Sequence, residues 1–85
     1  MDLIQQIKTL PVGYSEVNYE GKRYGVSRTN FNEGKSIKVY AKELGGTHFI
    51  SFNYYLTTKE NLLKPCEIPV QEVVHFLENY ELLIN

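Results

Sequence analysis

Residues 36–56 read SIKVYAKELGGTHFISFNYYL, and the alternation on either side of the paired glycines decides the fold. Gly45-Gly46 has the chemistry of a two-residue hairpin turn, whose central positions both need positive φ. Folding about it pairs Ala41 with Ile50, Val39 with Phe52 and Ile37 with Tyr54 on one face. The other face pairs Lys42 with Phe49, Tyr40 with Ser51 and Lys38 with Asn53. Successive strand residues point to opposite faces, so one face is apolar and the other basic, aromatic and amide-bearing. A slip of one residue would drive the lysines inward, so the register is strongly specified.

Outward from this hairpin the pattern supplies the remaining elements. Leu3, Ile4, Ile7 and Leu10 recur at helical spacing, and Asp2 can cap a short helix that Pro11 and Gly13 end. Residues 14–19 and 22–28 read as strands about a tight Glu20-Gly21 turn. Val17 then faces Tyr24 and Ser15 faces Val26 on the core side, while Asn18 and Arg23 share the opposite side. Asn30, Asn32 and Gly34 mark the next turn. Residues 57–66 read as a loop whose Leu62 and Leu63 tuck back onto the core. Pro69 suits the first turn of a final helix with Val70, Val73, Val74, Leu77 and Tyr80 as its apolar stripe.

The expected fold is α+β: a four-stranded antiparallel meander with an N-terminal and a C-terminal helix packed on one face, in the order α-β-β-β-β-α. With 85 residues, 42% of them hydrophobic, the expectation is a single domain over residues 1–85. In such a meander the strand that begins at His48 and ends at Leu56 lies at the sheet edge. It holds no proline and no lysine, arginine or carboxylate, so it is open to pairing with a second copy as a homodimer. Cover of that edge by the following loop is the preferred alternative.

Composition narrows the functional classes. The formal net charge is −1, which disfavours a strongly basic nucleic-acid binder. Cys66 is the only cysteine, which fits a reduced, cytoplasmic setting. The first six residues, MDLIQQ, do not read as a signal peptide, and no apolar run approaches the roughly 20 residues that span a bilayer. No membrane partner, cofactor or metal is expected, since two histidines and one cysteine sit at no ligand-like spacing.

The open sheet face is the leading candidate site. It is expected to carry Arg23, Ser27, Lys38, Tyr40, Lys42, Phe49, Asn53 and Tyr55. Between residues 21 and 42, six basic residues meet only Glu33, a local charge of +5. A solvated antiparallel face also looks like this, because such sheets often wet one side. The functional reading is a small soluble binding or accessory domain without catalysis, with a protein partner first. Single-stranded nucleic acid is the alternative, since tyrosine and phenylalanine can stack bases and lysine can neutralise phosphate.

Two segments add a resemblance. Gly45-Gly46-Thr47-His48-Phe49-Ile50-Ser51-Phe52-Asn53 and Leu62-Leu63-Lys64-Pro65-Cys66-Glu67-Ile68-Pro69 resemble a family of short bacterial proteins without an established role. Some of its members carry the name peptide methionine sulfoxide reductase. The resemblance covers most of the chain and implies a third option, a redox or reductase-related role with Cys66 as the candidate nucleophile. The Gly-Cys-Phe-Trp motif of the A-type reductases is missing, as this chain has no tryptophan. The paired zinc cysteines usual in B-type enzymes are missing too. Glu67 beside Cys66 opposes a thiolate, and no local pattern sets His48 or His75 next to it.

Overall fold

The computed structural model describes residues 3–83, so the expected cap at Asp2 lies outside the described residues. Chain order is α1 (Leu3–Thr9), β1 (Gly13–Tyr19), β2 (Lys22–Phe31), a short 3-10 turn (Asn32–Gly34), β3 (Ser36–Glu43), β4 (Phe49–Leu56), β5 (Asn61–Pro65), α2 (Val70–Asn79) and β6 (Glu81–Leu82). The class is α+β, but the sheet has six antiparallel strands in the order β5-β4-β3-β2-β1-β6, not four.

The central register is the expected one. Val39 lies opposite Phe52, Ala41 opposite Ile50 and Ile37 opposite Tyr54, and all six are buried. Lys38, Tyr40 and Lys42 alternate with them and are exposed. In the first hairpin, Val17 pairs with Tyr24 and Ser15 with Val26. Its turn is a true two-residue turn, with Glu20 at φ 52° and Gly21 at φ 75°, which matches the right-handed strand twist.

The glycine pair closes differently. Residues 44–47 form a four-residue loop between Glu43 and His48, whose backbones hydrogen-bond at 2.8 Å. Gly45 has φ 90°, whereas Gly46 is not among the residues with positive φ. The reason is that the Leu44 N–H turns away from the hairpin and donates to the Arg23 carbonyl of β2 at 2.9 Å. Gly46 serves another need: a Cβ there would collide with the Glu43 carboxylate.

Residues 57–66 are not a plain loop. The Thr57 N–H bonds the Glu60 carbonyl, which reverses the chain, and β5 then pairs with β4 from Leu56↔Asn61 to Phe52↔Pro65. The Cys66 N–H extends the ladder to the Ser51 carbonyl at 2.9 Å. β4 is therefore an interior strand, and a homodimer formed through its free edge would first have to displace β5. Only half of the leucine pair tucks inward. Leu63, opposite Tyr54, packs on the core, while Leu62, opposite Tyr55, faces the other side.

α2 leaves the β5 edge and leads into β6 at the opposite edge, so it crosses the covered face of the whole sheet. Pro69 is its N-cap in extended conformation and not a first-turn residue. The buried stripe is Val73, Phe76 and Leu77, with Tyr80 partly buried; Val70 is exposed. Phe76 belongs to this stripe at i+3 from Val73, and the expected stripe omitted it. α1 lies alongside, where Gln6 Nε2 donates to the Leu77 carbonyl at 2.9 Å and the Tyr80 hydroxyl to the Gln6 carbonyl at 2.5 Å. Arg28 points into this layer and donates to the Leu10 carbonyl at 2.6 Å, at the negative end of α1.

Two substitutions test this packing. Phe52→Ala empties the centre of the core and is expected to cost about 3–5 kcal/mol in urea unfolding. Leu63→Asp should detach β5, expose the β4 edge and produce concentration-dependent association in sedimentation. A monomeric, equally stable Leu63→Asp protein would contradict the role of β5 as the cover.

Candidate functional site

The open face contains the expected residues, but in two groups. Lys38, Tyr40 and Lys42 on β3 stand beside Phe49, Asn53 and Tyr55 on β4. Pairing of β5 adds Lys64, opposite Asn53, a residue outside the expected set because residues 57–66 read as a loop. Tyr40 and Phe49 have ring centroids 6.1 Å apart and tilted by 40°, so each ring supports the other. None of Lys38, Lys42 and Lys64 has an ion-pair partner among the described residues.

Arg23 and Ser27 lie on the same face in the second group. Arg23 Nη1 is 3.5 Å from Glu16 Oε1, which offsets its charge. Tyr14 lies across Gly25, where a Cβ would meet its ring. Arg28, counted in the basic stretch, is buried on the helix side and adds nothing to the open face. The basic character is therefore concentrated on β3 to β5.

Cys66 is half-buried at the rim of the open face. Its thiol accepts from Asn53 Nδ2 at 3.6 Å, and no histidine or second cysteine joins it among the described residues. A nucleophilic thiol needs a base that takes its proton. Neither histidine serves, because both are engaged elsewhere.

That elsewhere is a cleft of about 580 Å³ on the helix side, which no sequence motif announced. The Glu20-Gly21 turn and the 44–47 loop end the sheet on the same side, and the first turns of α2 lie against them. Tyr19 and Tyr24 form its floor, their rings 5.6 Å apart in an edge-to-face arrangement. The Tyr24 hydroxyl is 2.7 Å from His48 Nδ1, and the Tyr19 hydroxyl is 2.5 Å from His75 Nδ1. His48 Nε2 in turn lies 3.4 Å from Glu72 Oε1, and His75 Nδ1 lies 3.5 Å from Glu20 Oε1.

Electrostatics keep both phenols protonated. Burial, followed by the nearby Glu20, pushes the Tyr19 phenol far above its ordinary 10.0. Burial, followed by the carboxylates of Glu43, Glu20 and Glu72, raises Tyr24 as well. Both phenols hold their protons at neutral pH, and each lies within hydrogen-bond reach of a histidine Nδ1. A phenol with a raised pKa stays protonated at neutral pH and is a poor nucleophile. Among the described residues, no group of three or more His, Cys, Asp or Glu side chains is arranged to hold a metal ion. No described helix is long and apolar enough to cross a membrane.

A scan against protein-family models finds no match, and neither a search of curated proteins nor one of solved structures finds any.

The raised phenols fix the sign of an alkaline transition. Because the folded pKa lies above the unfolded one, the unfolded chain loses these protons first as the pH rises. Their contribution is fully present below about pH 10 and declines as the pH climbs from there towards the folded values. The urea midpoint should fall above about pH 10, and Tyr19→Phe should make that fall shallower. A midpoint that declines identically in Tyr19→Phe would show that the Tyr19 phenol is not held protonated by the fold.

Proposed function

We propose that the protein is a binding module without catalysis, whose open sheet face takes an acidic segment of a partner protein. One observation carries this reading. Lys38, Lys42 and Lys64 surround Tyr40, Phe49, Asn53 and Tyr55 on three adjacent strands, and none of these lysines meets a carboxylate among the described residues. Carboxylates crowd instead around the cleft on the helix side, at Glu20, Glu43 and Glu72. The molecule is thus dipolar at a net charge of −1, and its basic side complements an anionic partner. Tyrosine supplies large contact area at small entropic cost, which suits a protein interface.

Single-stranded nucleic acid shares the anionic chemistry and is the second reading, supported by the exposed rings of Tyr40 and Tyr55. The mutual packing of Tyr40 and Phe49 favours protein, because these rings already spend contact on each other and not on a stacked base. The reductase-related role receives no support from the surroundings of Cys66.

Fluorescence anisotropy with a labelled Glu/Asp-rich peptide and an equally long oligothymidylate separates the readings. The peptide is expected to bind at low salt and to dissociate as salt screens the lysines. Lys38→Glu with Lys42→Glu should abolish binding, Tyr40→Ala should weaken it by about 1–2 kcal/mol, and Cys66→Ser should leave it unchanged. Preference for the oligonucleotide transfers the site to nucleic acid. If neither probe binds at low salt, the face is only solvated.

A further inference from the structure

One row of the open face brings free donors together. Lys38, Asn53 and Lys64 lie opposite one another on β3, β4 and β5. The two lysines therefore flank Asn53, and their Cα atoms are about 9–10 Å apart, twice the usual strand spacing. Neither lysine has an ion-pair partner among the described residues. Asn53 Nδ2 donates one proton to the Cys66 thiol at 3.6 Å, and its second proton has no partner among those residues. Donors from three adjacent strands thus border one spot.

That spot is set low on the face. Between Phe49 and Tyr55, β4 presents only the short side chains of Ser51 and Asn53 here. Ser51 is buried although both helices pack on the other side of the sheet, and Asn53 is half-buried. Lys38, Tyr40 and Lys64 around them are exposed. Tyr40 and Tyr55 stand in the rows on either side and keep 41% and 37% of their surface open, so aromatic walls adjoin the donors. Lys42 is outside this group, four residues along β3 from Lys38, or about 13 Å.

Two ammonium groups beside one amide exceed what a single carboxylate needs, since it brings one charge and two oxygens. A phosphomonoester brings a charge of about −1.5 to −2 and three strong acceptor oxygens. These match Lys38, Lys64 and the second Asn53 proton one to one. Lysine binds phosphate as a point charge on a flexible four-carbon stem, so both stems can close over a group seated on Asn53. We propose that Lys38, Asn53 and Lys64 seat the phosphate of a phosphorylated side chain within the partner's acidic segment. The proposal rests on the open-face reading and makes the partner a phosphoprotein. Lys42, about four residues of extended peptide away, then answers a flanking carboxylate.

Fluorescence anisotropy at constant low ionic strength tests the assignment with the whole chain. The probes are three Glu/Asp-rich peptides that differ only at a central serine, glutamate or phosphoserine. The phosphoserine peptide is expected to bind about tenfold or more tighter than the glutamate peptide, as charge-assisted hydrogen bonds are gained. Lys38→Gln and Lys64→Gln should each remove most of that preference, whereas Lys42→Gln should weaken all three peptides alike and leave the preference intact. These lysines are exposed, so the variants keep the fold. Equal affinity for the phosphoserine and glutamate peptides would overturn the proposal and leave the open-face reading standing. A preference lost equally in Lys42→Gln would also overturn it, because the cause would then be charge in general and not this row. If none of the three peptides binds, the open-face reading fails and the proposal with it. Vesicles of phosphatidylcholine and phosphatidic acid offer the same phosphate chemistry on a lipid surface. Retention on them without a preference for the phosphopeptide would assign the row to a membrane and overturn the proposal.

Discussion

The rung that joins Val39 to Phe52 holds the rest of the molecule in place. Both residues are fully buried, they lie in two adjacent interior strands of the sheet, and α2 packs across the face they share. Displacement of either strand by one residue would expose Val39, Ala41, Ile50 and Phe52 and bury Lys38 and Lys42. Burial of one large apolar side chain is worth about 1.5–3 kcal/mol, and an unpaired buried lysine costs more than several of these gains. The register thus has no competitor, and both faces of the sheet inherit their chemistry from it.

Opposite charges are separated by the same alternation. On β3 the even positions, Lys38 and Lys42, go to the open face, while Glu43 goes to the helix side. Lys64 joins the open face only because β5 pairs with β4. Arg28 goes the other way and becomes structural, with its guanidinium at the C-terminal carbonyls of α1. A positive charge at that end of a helix is favourable. A run of basic residues along the chain is thereby divided into a surface group and one buried cap.

The cleft is built from chain ends of elements, where backbone geometry is least regular. Glu20 sits at φ 52°, a conformation uncommon for a residue with a Cβ, and so holds its carboxylate beside His75. Gly46 leaves room for the Glu43 carboxylate, and the first turn of α2 brings Glu72 to His48. Phe76 packs under both tyrosines, at 5.0 Å from the Tyr19 ring and 6.3 Å from the Tyr24 ring, which fixes the floor. Each polar group of the cleft is therefore positioned by an apolar or turn residue behind it.

Much of this was legible along the chain, because alternation with period two is a local property. It determined the α+β class, the pairing of Val39 with Phe52 and of Val17 with Tyr24, and the sharing of one face by Lys38, Tyr40, Lys42, Phe49, Asn53 and Tyr55. It also determined the Glu20-Gly21 turn, whose residue types carry their own conformational preference. Residues 61–65 hold two leucines, a lysine and a proline with no alternation, so only the unpaired edge of β4 could make them a strand. The wide loop at Gly45-Gly46 depends on a hydrogen bond from Leu44 to a different strand, which no local pattern encodes. His48 and Tyr24 are 24 residues apart, and Tyr19 and His75 are 56 apart. The sequence by itself determined which face each side chain takes; only the tertiary structure, by laying α2 across two hairpin ends, decided which polar groups meet.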